Sequence, residues 1–135
     1  MPNLLSLRFF ITLLIMMSHF TVQAESVISE HIDIHQFSNL MSESSENTKI
    51  IDVRTSEEFH AGHLPDAMLI DFYAKNFVEK VRALDKDTTY LLYCRTGNRS
   101  GQTLKLMRNL GFKAAYNMKG GMNKWAPANY PVVKP

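Results

Sequence analysis

The stretch Thr88-Thr89-Tyr90-Leu91-Leu92-Tyr93-Cys94-Arg95-Thr96-Gly97-Asn98-Arg99-Ser100 runs from an apolar segment rich in Thr, Tyr and Leu into a short polar loop. The first part, Thr88 to Tyr93, has the composition of a buried strand. From Ser100 onward the apolar positions change period, with Leu104, Met107 and Leu110 at helical spacing and Gly111 as a natural left-handed stop. A strand therefore ends at Cys94, a loop turns the chain, and a helix begins.

The same alternation extends in both directions. Upstream, Ile34, Phe37, Leu40 and Met41 mark one face of a helix over Ile32 to Met41, which Asp33 is placed to cap. Ser42 to Asn47 reads as a polar loop and Lys49 to Val53 as a buried strand, after which Thr55 to Glu58 offers the cap of a brief helix. Gly62 and Pro65 break the chain before a strand over Ala67 to Ile70. Phe77, Val78, Val81 and Leu84 then suit an amphipathic helix within Phe72 to Leu84. Downstream, Ala114 to Met118 predicts a strand, Gly120-Gly121 a turn, Met122 to Trp125 one helical turn, and Asn129 to Pro135 a disordered tail. Alternating strands and helices predict an α/β fold of three layers, α/β/α, with a central, mostly parallel sheet. Ligands bind such sheets beyond the carboxyl ends of the strands, which is where Cys94 falls.

The chain of 135 residues suits one domain, and its charge balance, 15 Lys and Arg against 13 Asp and Glu, gives no general attraction to nucleic acid or anionic membrane. Residues 1–24 read as a signal peptide: a basic start through Arg8, an apolar run over Phe9 to Met17, and Val22-Gln23-Ala24 ahead of Glu25. That run is short for a bilayer crossing of roughly 20 residues, so cleavage leaving a domain over 25–135 with no membrane anchor is expected. The predicted location is periplasmic or secreted. With one cysteine in the chain, neither an internal disulfide nor a lipidated leader thiol is available. An unpaired thiol of this kind is inert when buried, able to link two chains when exposed, or kept for its reactivity.

The flanks of Cys94 favour reactivity. Gly97 and Asn98 allow backbone angles that turn successive amides inward, the helix start favours negative charge, and Arg95 and Arg99 add cations. Such surroundings lower a thiol pKa from about 8.5 to somewhere between roughly 3.5 and 7.5. The loop resembles the active-site loop of rhodanese domains. Three further stretches carry the same resemblance along most of the chain: Ile51-Asp52-Val53-Arg54 with Glu58-Phe59, Gly62-His63-Leu64-Pro65, and Gly120-Gly121 with Trp125. Asp66 departs from the family, which often has glycine there, but aspartate tolerates turn conformations. The resemblance implies a sulfurtransferase in which Cys94 is the nucleophile and Arg95, Thr96, Gly97, Asn98, Arg99 and Ser100 hold the persulfide. The resemblance leaves the donor open; the two arginines suit a small dianion such as thiosulfate, and the acceptor would be cyanide, a small thiol or a protein thiol, with no metal or organic cofactor.

Cysteine-dependent phosphatases and arsenate reductases share the strand, cysteine loop and helix. Phosphatases place five residues between cysteine and arginine, against four between Cys94 and Arg99. A non-catalytic rhodanese-like binding module is the other alternative, and such modules usually lack the cysteine, while a persulfide carrier that serves a protein partner shades between the two. His31 with His35, and His60 with His63, sit at helical spacing without the further ligands of a zinc motif. Met107, Met118 and Met122 fit core packing. For Asp52 and Arg54 the resemblance implies a structural use, with Asp52 at a strand end and Arg54 pairing nearby carboxylates such as Glu57 or Glu58.

Overall fold

In a computed structural model, which describes residues 24–43 and 46–135, one parallel sheet of five strands runs through the domain. The elements are β1 (Ile28–Ile32), α1 (Ile34–Ser42), β2 (Thr48–Asp52), α2 (Ser56–Ala61), β3 (Ala67–Leu69), α3 (Phe77–Arg82), β4 (Thr89–Tyr93), α4 (Asn98–Asn109), β5 (Ala114–Met118) and α5 (Gly121–Trp125). The leader assigned to residues 1–24 lies outside the described residues except for Ala24. Strand order is β1-β5-β4-β2-β3, with every pairing parallel.

Successive residues of β4 face opposite sides of the sheet, and both sides are covered. Tyr90, Leu92 and Cys94 join Leu104 and Met107 of α4 and Phe77 and Val81 of α3 in one core. Leu91 and Tyr93 join Phe37 of α1 and Trp125 of α5 in the other. These two cores separate the three layers. Connections leave β2 toward the β3 edge and β4 toward the β5 edge, so the crevice between the ends of β2 and β4 is the sheet's topological switch point. Cys94 and Arg54 both lie there.

Helix starts follow their sequence signals. Asp33 and Gln36 form a reciprocal capping box at α1, as Thr55 and Glu58 do at α2. Asp66 takes φ 61° and Gly111 φ 83°, the turn conformations expected of them.

Four expectations change. Ile28–Ile32 is a strand at the sheet edge, and Ile32 ends it rather than starting α1. His31 is consequently on β1 and His35 on α1, so the two do not share a helical face. Helix α3 begins only at Phe77, because Asp71 organises a turn that receives the amides of Tyr73 and Ala74. The tail is anchored. Trp125 is fully buried and its ring N–H donates to Pro131 O at 2.9 Å, Tyr130 stacks on the indole, and His63 and Val133 exchange both backbone hydrogen bonds. A buried indole needs an acceptor, and the tail supplies it.

Candidate active site

Cys94 follows the last residue of β4 and has no exposed surface. Its Sγ accepts the Gly97 N–H at 3.1 Å and the Ser100 hydroxyl at 3.2 Å. Burial opposes ionisation. The Ser100 hydroxyl and the amides of Ser100, Thr96 and Gly97 favour the thiolate more strongly, and the thiol lies below its ordinary range. Gly97 makes this geometry possible with φ 96°, turning the chain so that the loop bends over the sulfur as α4 starts.

Three segments converge on the loop. The α5 start receives its carbonyls, with Met122 N donating to Cys94 O at 2.9 Å and Asn123 N to Arg95 O at 3.0 Å. From α2, Glu58 takes both terminal nitrogens of Arg99 at 2.8 and 3.0 Å. The Arg99 guanidinium also sits 5.6 Å from the ring centroid of exposed Tyr73, which follows β3. Arg95 stays exposed, with no carboxylate partner among the described residues. The two arginines are thus unequal: Glu58 neutralises Arg99, while Arg95 is free to meet an anion. The sequence reading had not foreseen Glu58 or Tyr73 at this rim.

Beneath the crevice lies a buried polar network. Asp52 Oδ1 accepts the backbone N–H of Arg54 at 2.9 Å, and its carboxylate pairs the Arg54 guanidinium at 2.6 Å. Arg54 also donates to Gly62 O at 2.7 Å. Tyr93 donates its hydroxyl to Asp52 Oδ2 at 2.6 Å and accepts the Leu64 N–H. Burial, then the Asp52 charge, pushes the Tyr93 hydroxyl upward. Arg54 therefore pairs Asp52 rather than Glu57 or Glu58, and the structural use of this pair stands.

Residues 33–128 match the model of the rhodanese-like domain family. The chain belongs to that family. Its rhodanese relatives include a sulfurtransferase of Allochromatium vinosum, 29% identical across 77% of this chain and 94% of the relative. Rhodanese-like domain-containing protein 17 of Arabidopsis thaliana is 30% identical across 98% and 92%. Among solved structures, a rhodanese-related protein of Thermoplasma volcanium superposes with a TM-score of 0.68 at 24% identity, over 78% of this chain and 99% of that one. A rhodanese-like domain protein of Staphylococcus aureus gives 0.62 at 30% identity, over 71% and 90%. The three-layer rhodanese-like fold and membership of the sulfurtransferase class follow.

Within this rhodanese domain the Glu58–Arg99 pair sets a pH-dependent contribution to stability. The Arg99 hydrogen bonds lower the Glu58 carboxyl from the ordinary 4.5 to about 2. A depressed carboxyl stabilises the fold above its unfolded pKa and loses that contribution as pH falls through its folded pKa. Glu58→Gln should therefore cost about 1–2 kcal/mol at neutral pH, with the gap to the parent closing as pH drops from about 4.5 toward 2. Urea midpoints across that window measure it, and a gap constant with pH would count against the pair.

His60, His63, Met107 and Met118 behave as ordinary side chains. His63 stacks on Phe59 with centroids 3.7 Å apart, and His60 bonds Ser56 O. Met107 and Met118 are fully buried. Among the described residues, no group of three or more His, Cys, Asp or Glu side chains could hold a metal ion.

Proposed function

We propose that this protein transfers sulfane sulfur from a small anionic donor such as thiosulfate to a thiophilic acceptor through a persulfide on Cys94. The observation that carries the reading is the convergence of the Ser100 hydroxyl and the Thr96, Gly97 and Ser100 amides on a sulfur at the sheet's switch point. In the first half-reaction the Cys94 thiolate attacks the outer sulfur of thiosulfate. A new S–S bond forms, the S–S bond of thiosulfate breaks, and sulfite leaves with the electron pair. In the second, cyanide or a thiolate attacks the outer sulfur of the persulfide, and the Cys94 thiolate departs as leaving group. Charge is carried on sulfur throughout, so donors held by the loop stabilise each resting state.

Exposed Arg95 is placed to meet the sulfonate end of the donor. Burial of Cys94 disfavours a disulfide between two chains. The loop atoms at the rim must part slightly to admit the donor's outer sulfur. Phosphatase chemistry is disfavoured because the position six after Cys94, where a phosphatase carries its arginine, is Ser100, and the neighbouring Arg99 is committed to Glu58. The leader motif in residues 1–24 supports export, to the periplasm in a bacterium, and fractionation of expressing cells tests it.

The decisive assay is thiosulfate-to-cyanide transfer with the parent protein and Cys94→Ser, with intact mass recorded after donor alone. Thiocyanate formation and a one-sulfur mass gain, both absent in the variant, are expected. A reduced, folded parent that neither gains sulfur nor turns over would remove the persulfide reading.

A further inference from the structure

Gly97 holds the Cys94 loop at two points. Its N–H donates to Sγ, while its carbonyl accepts the Gly101 N–H at 3.0 Å and the side-chain amide of Asn117 at 3.2 Å. Asn117 lies on β5 and is 2% exposed. An amide atom that faces a carbonyl oxygen must be the donor, so the NH2 end of Asn117 is the end turned to Gly97. The same nitrogen lies 2.8 Å from His31 Nδ1, on the register partner of Asn117 in β1. Its second hydrogen therefore goes to His31, which accepts through Nδ1.

This orientation leaves Asn117 Oδ1 buried with no hydrogen-bond partner among the described residues. An unpaired buried oxygen is unfavourable, and an apolar side chain would fill the position without that loss. What distinguishes asparagine here is its pair of donors. Local packing explains why the contact comes from the sheet. A Cβ on Gly97 would meet Gly120 N and Met118 O at 3.2 Å, and one on Gly101 would meet His31 Cε1 at 3.3 Å and Asn117 Nδ2 at 3.4 Å. Two glycines thus let the loop and α4 approach β5 and β1 closely enough for the amide to reach.

We infer that Asn117 is a positioning residue for Cys94: by holding the Gly97 carbonyl it keeps the Gly97 N–H aimed at the sulfur, and His31 holds Asn117 in that orientation. The inference deepens the reading of Cys94 as the reactive group, and it assigns to two neighbouring strands a part in a site otherwise built from loops.

The test is the ultraviolet absorbance of the thiolate against pH in the full chain, with Cys94→Ser subtracted, which is unambiguous because the chain has one cysteine. Asn117→Leu keeps the number and branching of the side-chain heavy atoms and adds no charge. It should raise the ionisation midpoint of Cys94 by about one unit, a tenfold change in the thiolate equilibrium, while thermal stability stays near the parent's. Ser100→Ala, which removes a direct donor, should shift it further in the same direction, and His31→Ala less. A folded Asn117→Leu protein with the parent's midpoint overturns the inference. If that variant does not fold, exposed His31 decides, since an unchanged midpoint in His31→Ala overturns the proposed support of Asn117. The readout needs no donor or acceptor, so failed sulfur transfer with these shifts present would remove the proposed function and leave the positioning role intact.

Discussion

Asp52→Ala is expected to destabilise the domain by about 3–5 kcal/mol, much of the roughly 5–15 kcal/mol that holds a domain of this kind together. Asp52 is fully buried and Arg54 is 5% exposed. The substitution would leave the guanidinium out of water with only Gly62 O and the face of Tyr93, 5.5 Å away, as company. It would also strip the Tyr93 hydroxyl of its acceptor. The penalty lies mainly in the stranded charge, so the pair is better judged by removing both partners. Asp52→Leu combined with Arg54→Met should recover a large part of the loss in either single variant. Urea unfolding of the parent, both singles and the double variant measures the coupling. A single variant with the parent's midpoint would show that the network is dispensable. The pair belongs to stability rather than to chemistry, because it underlies the floor of the crevice and contacts neither Cys94 nor the loop amides.

The elements around Cys94 were legible because each carries a local signal. Thr89–Tyr93 is a strand buried on both faces, and its run of Tyr and Leu needs no partner to be recognised. The two capping boxes are likewise written within four residues of sequence. Strand β1 was not legible. Of Ile28-Ser29-Glu30-His31-Ile32 only Ile32 is buried, since an edge strand shows the sheet little apolar surface, and that one residue is equally consistent with the helical pattern that follows it. The tail failed for a related reason: nothing in Tyr130-Pro131-Val132-Val133 reveals that an indole and a turn around His63 await it.

At the site, the loop donors could be named from Cys94 to Ser100, but their division of labour could not. The structure gives the sulfur to Thr96, Gly97 and Ser100, engages Arg95 O with α5, and turns Arg99 to a carboxylate that lies 41 positions away in the chain. Sequence spacing shows which charges exist. Which of them cancel depends on tertiary apposition, as does the meeting of His31 with Asn117 across 86 positions.

Gly121→Ala should impair sulfur transfer more than any other alanine substitution at the start of α5. A Cβ at this position would fall inside contact distance of Cys94 O and 2.7 Å from the carbonyl carbon and oxygen of Arg95. All three are backbone atoms of the Cys94 loop and cannot swing aside like a side chain. The backbone itself is not the obstacle, because φ 52° is open to alanine at moderate strain. Either the loop or α5 must retreat, and both hydrogen bonds from Met122 and Asn123 are lost or stretched. Misplacement of the sulfur by as little as about 1 Å is enough to lower kcat/KM about a hundredfold, with about 3 kcal/mol of stability lost alongside. Gly120→Ala is the matched comparison. There φ is 81°, but the Cβ would meet only the methylenes of Lys124, which can move into solvent. It should cost about 1–2 kcal/mol and leave transfer within about tenfold of the parent. Steady-state transfer and urea midpoints for the two variants side by side separate backbone strain from close packing. Equal losses at both positions would mean that left-handed geometry, not the approach of α5 to the Cys94 carbonyl, is what the glycine pair provides.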